Sequence, residues 1–200
     1  MRTLPLSFYE RDDVVRIAKE LLGKVLCTNV DGSVTKGIIV ETEAYNGRTD
    51  KACHAYFAGR TNRTKIMYSR GGLSYVYLCY GIHHLFNIVT NKEGLADAVL
   101  IRAIDPQEGV DEILGRRKKT KLERSVGGGP GILSQALGIT THHNGIDLLG
   151  DVIWVEDHQK IISQDQIVAS SRVGVDYAEE DALLPWRFRI KGNSYTSPAK

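Results

Sequence analysis

Glu41, Glu43 and Tyr45 follow an apolar run, Gly37-Ile38-Ile39-Val40, in a stretch that reads as one β-strand. Successive strand side chains point to opposite faces, so these three share one face while Thr42 and Ala44 take the other. Two carboxylates and an aromatic ring leaving a buried strand are expensive to desolvate. Burial and a like-charged neighbour raise carboxylate pKa values, a common preparation of an acid or base for chemistry. A strand running out into solvent with ordinary surface glutamates would have the same pattern, so the rest of the chain must decide.

The surrounding elements read as hairpins with a few helices. Asp12 or Asp13 can cap a helix with Val14, Ala18, Leu21 and Leu22 on one face, ended by Gly23. Lys24 to Val30 and Val34 to Tyr45 flank Asp31-Gly32, a strong hairpin signal. The polar stretch from Asn46 to Gly72 is too long for a simple connection and is therefore functional or partly helical. Strands are expected at Leu73 to Tyr80 and His84 to Thr90, joined at Tyr80-Gly81-Ile82-His83, and at Ala98 to Ile104, stopped by Asp105-Pro106. A helix around Glu108 to Lys119 turns basic at its end, favourably for its dipole. Gly127 to Gly131 opens a short helix through Leu137, and strands follow at Val152 to Glu156, Gln166 to Ser170 and Trp186 to Ile190. The fold class is α+β: one domain over residues 1–200, a mainly antiparallel sheet, flanking helices and a protruding hairpin.

Within Leu73 to Tyr80, Tyr75 and Tyr77 share one face and Val76 and Leu78 the other. A single tyrosine in such a strand is ordinarily core with its hydroxyl satisfied. Tyr80 differs, because a ring at a hairpin tip is presented outward, where it can wedge between stacked bases. Asn87 and Arg102 interrupt apolar strands. Asn87 faces water on an edge strand or reads a ligand, and Arg102 calls for a carboxylate partner, Glu41 or Glu43. Arg60, Arg63, Lys65 and Arg70 lie in a loop between these strands and suit a nucleic-acid backbone as well as plain solvent. The glycine run could offer amides to a phosphate but lacks the lysine and serine or threonine of a P-loop.

Composition narrows the classes. A chain of 200 residues with 42% hydrophobic and 25% charged residues is an ordinary soluble domain with room for a full core. The net charge of +2 excludes a globally basic nucleic-acid binder, leaving only a local patch. Cys27, Cys53 and Cys79 match neither a disulfide framework nor a zinc spacing, and the pairs His83-His84 and His142-His143 lack a Cys/His box, so no metal or cofactor is expected. No apolar leader or bilayer-length stretch is present in the sequence, and the expected setting is cytoplasmic, away from membranes.

ETEAY with His54 downstream, LSYVYLCYGIHHLFN, AVLIRAIDP, GPGILSQALGI and RVGV together resemble the alkyladenine (3-methyladenine) DNA glycosylases, in order and spacing, from about Val34 to Gly192. The resemblance implies a monomeric, monofunctional glycosylase that acts on double-stranded DNA containing damaged purines. It would flip the damaged base and hydrolyse its N-glycosidic bond. By position, Glu43 would activate water, with Arg102 and the Val173 carbonyl helping to hold it. Tyr45, His54 and Tyr77 would wall the base pocket, an amide at His54 reading the base edge. Asn87 would stand against the amino group of normal guanine, and Tyr80 would fill the vacated space. His83-His84 and Asp176-Tyr177 depart from the family's pattern.

Three other readings compete. Glu41 and Glu43 could form an inverting glycosidase pair, since same-face strand neighbours have Cα atoms roughly 6.5–7 Å apart and inverting carboxyls stand ~6.5–9.5 Å apart. Glu41, Glu43 and His54 could serve a metal-dependent nuclease. A nucleic-acid-binding module without hydrolysis could keep the stacking surface alone.

Overall fold

Antiparallel pairing organises the chain, which the computed structural model describes over residues 2–198. In chain order the elements are β1 (Arg2–Thr3), α1 (Leu6–Tyr9), α2 (Val14–Glu20), β2 (Val25–Val30), β3 (Ser33–Tyr45), α3 (His54–Ala58), β4 (Ser74–Cys79), β5 (His83–Thr90) and β6 (Asp97–Glu108). There follow α4 (Val110–Arg117), α5 (Arg124–Gly127), α6 (Pro130–Ala136), β7 (Ile153–Asp157), β8 (Ile167–Ser170) and β9 (Arg187–Ile190). The sheet order is β1-β7-β2-β3-β6-β5-β4. Long β3 gives its first half to β2 and then, on the same edge, Glu41–Glu43 to β9, while β6 runs along its other edge. The expected α+β class with a mainly antiparallel sheet is the one observed.

Local chemistry explains the main elements. Asp13 Oδ1 accepts the Arg16 N–H at 2.9 Å, closing the start of α2, a cap that contributes about 1 kcal/mol. Asp31 (φ 54°) and Gly32 (φ 77°) form the two-residue turn that sets the β2–β3 register from Val30 opposite Ser33. Thr42 Oγ1 donates to the Ala18 carbonyl at 2.8 Å, pinning α2 to β3. On that face Ala44, Val99, Ile101, Ile88, Phe86 and Val76 join Ile17 and Leu21 in the main core. The opposite face of the same four strands carries the residues of the site described below.

Two bulges lie at the centre. Ile39 pairs with Ile104, Glu41 with Ala103 and Thr42 with Ile101, so Val40 is the extra residue on β3 and Arg102 the extra residue on β6. Bulges bend a strand and re-aim side chains, and here they set Arg102 beside both glutamates. The β4–β5 hairpin protrudes, its turn running from Cys79 to its partner His83 with Tyr80 at φ 52° and Gly81 at φ 73°. Tyr80 is 88% exposed and Ile82 70%, so the tip is an apolar knob in water.

Several expectations need correction. Asp105-Pro106 does not stop β6, which continues to Glu108; a register shift between Lys36 and Gly37 accommodates Pro106, which has no N–H to donate. The helix expected over Glu108 to Lys119 is shorter, Val110–Arg117, bounded by Gly109 and Lys118 in the left-handed region. Asn87 is not on an edge strand, because β5 lies between β4 and β6. The glycine run serves backbone packing: a Cβ on Gly127 would sit 2.2 Å from the Ile104 carbonyl oxygen, and the Gly129 N–H donates to the Arg102 carbonyl at 3.0 Å. The long stretch after β3 contains α3 and a 3-10 turn at Lys65–Tyr68. No helix among the described residues is long and apolar enough to cross a membrane.

Candidate active site

A cavity of about 680 Å³ opens on the sheet face opposite the main core. Its floor follows the two-residue strand period: Tyr45 from β3, Ala98, Leu100 and Arg102 from β6, Leu85 and Asn87 from β5, and Tyr75 and Tyr77 from β4. His54 at the start of α3, Arg63, the segment Val173 to Val175 and Tyr177 form the walls, and Tyr80 stands at the rim. Apart from Glu43, every site residue expected from the sequence therefore lines one cavity.

Glu43 is fully buried and lies behind the cavity wall. Its Oε1 accepts the backbone N–H of Val173 at 2.9 Å, and its Oε2 accepts the Tyr45 hydroxyl at 2.7 Å. Arg102 Nη1 stands 3.4 Å from Oε1. Tyr45, Val173 and Arg102 all line the cavity, so Glu43 is one side chain away from it. Burial, then the adjacent Glu43, pushes the Tyr45 phenol well above its ordinary pKa, which keeps it a proton donor to the carboxylate. Val173 touches Glu43 through its amide, whereas the sequence argument pointed to its carbonyl.

The two glutamates have separate fates. Glu41 Oε1 accepts from Arg102 Nε at 2.8 Å and Arg187 Nε at 2.9 Å, and Oε2 accepts the Ser197 N–H at 2.9 Å. Burial pushes its carboxyl up, but Arg102, the Ser197 amide and Arg187 outweigh that and hold it below the usual range. The raised pKa expected of a like-charged buried pair thus fails at Glu41, because two guanidiniums surround it. Glu41 is an interior anchor, its oxygens taken up by Arg102, Arg187 and Ser197.

The aromatic wall is tightly ordered. The rings of His54 and Tyr77 meet edge to face at 4.8 Å, and Tyr75 and Tyr77 lie 5.3 Å apart. Tyr75 is buried, with its hydroxyl 3.0 Å from His54 Nδ1, as expected of a satisfied core tyrosine. Burial, then Arg63, pushes His54 down from 6.5 to about 4, so the ring is neutral near pH 7. Asn87 Nδ2 donates to the Tyr75 carbonyl at 3.1 Å, leaving its amide fixed on the cavity floor.

Residues overlooked in the sequence complete the frame. Arg172 forms a buried ion pair with Asp50, donates from Nη1 to the Ala44 carbonyl at 2.9 Å, and lies 4.8 Å over the Tyr45 ring. It thereby fastens the segment bearing Val173 to the end of β3. Its position just before Val173 was the available signal; nothing local marked Asp50 as its partner. Of the basic loop, Arg63 turns over Tyr77 and Arg70 binds Asp147 at 2.7 Å.

The sequence pattern of the methylpurine-DNA glycosylase (MPG) family matches residues 7–194. A Chlamydia felis protein named "Putative 3-methyladenine DNA glycosylase" is 51% identical over 188 residues, 94% of this chain and 95% of its own length. Proteins of the same name from Chlamydia abortus (48% identical, covering 94% of this chain and 97% of theirs) and Bacillus thuringiensis (45%, covering 96% and 98%) are similarly alike. The match spans both the strands that floor the cavity and the loops that wall it, and the chain belongs to the methylpurine-DNA glycosylase family of DNA-repair enzymes.

Proposed function

We propose that this glycosylase flips an alkylated or deaminated purine out of duplex DNA into the aromatic cavity and hydrolyses its N-glycosidic bond, leaving an abasic site. The substrates in view are 3-methyladenine, 7-methylguanine, hypoxanthine and ethenoadenine. The observation that carries this reading is Glu43 held by Val173, Tyr45 and Arg102 directly behind a slot walled by Tyr45, His54 and Tyr77.

In the proposed reaction a water oxygen bonds to C1′ of the sugar as the C1′–N bond breaks and its electron pair leaves with the base. Glu43 takes the water's proton and offsets the positive charge developing on the sugar. An ionised carboxylate has about four lone-pair sites, so its present partners leave capacity for that water. Arg102 and Val173 would keep the acceptor geometry, and the rings of Tyr45, His54 and Tyr77 would stack on the base. Asn87, fixed by its own hydrogen bond, would stand against the amino group of normal guanine. Tyr80, presented by a strained turn on an exposed knob, would occupy the gap in the stack, and extrusion is cheapest at a damaged pair. An alkylated purine already carries positive charge and leaves as a neutral base, whereas hypoxanthine or ethenoadenine leaves as an anion that takes its proton from solvent.

The test is base release from duplexes that each carry one of the four lesions, with strand breakage measured before and after alkali. Free base with strands intact until alkali is the expected result. Release that stops on adding a chelator, or strand cleavage without alkali, would count against it.

A further inference from the structure

Arg63 belongs to no step above, yet it reaches the centre of the aromatic wall. Its guanidinium carbon lies 4.7 Å from the Tyr77 ring centroid and its Nε donates to the Tyr75 hydroxyl at 3.3 Å. One terminal nitrogen is 3.4 Å from His54 Nδ1 and 3.3 Å from Nε2. Near-equal distances to both ring nitrogens place that nitrogen over the imidazole face. The Tyr77 ring face, the Tyr75 hydroxyl and the His54 ring thus form a cage that already holds a cation. His54 stays neutral beside it, pushed down to about 4 by burial and by Arg63. Among the described residues no carboxylate pairs with Arg63, and the residue is exposed, so its side chain can move.

We propose that Arg63 determines specificity in this site: as the cage's resident cation it disfavours purines that carry a fixed positive charge and favours neutral ones. The inference rests on the proposed base-excising activity. A purine methylated at N7 brings a second positive charge to the Tyr77 face and has lost the N7 lone pair. It must therefore displace Arg63 or suffer its repulsion. A neutral 6-oxopurine keeps O6 and N7, the pair of acceptors that a guanidinium binds as a fork. The guanidinium can donate to that edge in the plane of the base, while the tyrosines stack on its face.

The experiment compares single-turnover release of 7-methylguanine and hypoxanthine, each from the same duplex context, by wild type, R63Q and R63K. Loss of the charge in R63Q should shift the ratio toward 7-methylguanine by roughly two- to thirtyfold, the range of a cation–π contact from exposed to desolvated. R63K keeps the charge and should lie nearer wild type. A structural defect would slow both releases together and leave the ratio alone. An unchanged ratio in R63Q, an equal loss on both lesions (the mark of a phosphate contact), or the same shift in R63K as in R63Q would each overturn the assignment. If wild type released neither base, the excision reading itself would fall, and this assignment with it.

Discussion

The backbone N–H of Val173 donates to Oε1 of Glu43 at 2.9 Å, joining residues 130 positions apart. The contact orients the carboxylate from the loop side, while Tyr45 and Arg102 hold it from the sheet side. Replacing one oxygen by an amide can preserve this frame, because glutamine Oε1 still accepts from Val173. Glu43→Gln is therefore expected to fold and to retain binding to lesion-bearing duplex. Its single-turnover excision rate should fall by about 10²–10⁴, the usual contribution of a general base. Near-normal excision by this variant would take Glu43 out of that role.

Glu41→Gln should behave in the opposite way. Glu41 is buried and is the carboxylate partner of both Arg102 and Arg187. Removing its charge leaves Arg187 buried without a carboxylate and Arg102 with only its longer contact to Glu43, a loss of about 3–5 kcal/mol for a broken interior pair. Urea unfolding should show a lower midpoint with little change in slope. A wild-type midpoint would mean that the anchor is dispensable.

Tyr80→Ala should leave folding stability within about 0.5 kcal/mol of wild type, since the ring is 88% exposed. Binding to a lesion-bearing duplex should weaken by about 1–3 kcal/mol, the range measured for one stacked base. Excision of a lesion that is already unpaired should change less. Equal affinities for the two proteins, read by titration of a fluorescent etheno-adduct duplex, would argue against a wedge.

His54 makes stability depend on pH. Its folded value is about 4 against 6.5 for the free side chain, lowered by burial and then by Arg63. Between those values the unfolded chain binds a proton that the folded chain does not. This contribution is complete above pH 6.5 and is lost as the pH falls toward about 4. The slope is at most about 1.4 kcal/mol per pH unit, reduced by the ring's partial solvent contact. His54→Gln should lose less stability than wild type across that window, measured by urea midpoints. Parallel losses in the two proteins would exclude His54 as the titrating group.

The sequence by itself determined which residues share a strand face, because a period of two leaves no freedom. Glu41, Glu43 and Tyr45 were bound to align, as were Tyr75 and Tyr77, and the Asp31-Gly32 and Tyr80-Gly81 turns declared their hairpins. The motifs were enough to indicate the family, since each lies on a strand or loop whose order along the chain is visible. Only the tertiary structure gave the two carboxylates different surroundings. Glu41 and Glu43 look equivalent in a strand, but Arg187 and Ser197 arrive from the far end of the chain to enclose the first, while the second is held by Val173 and Tyr45, which line the cavity. Two opposed bulges settled where Arg102 points, and no residue near it in sequence announces a bulge. Arg63 looked like surface charge because its cage is assembled from α3 and β4, elements separated in the chain and joined only by folding.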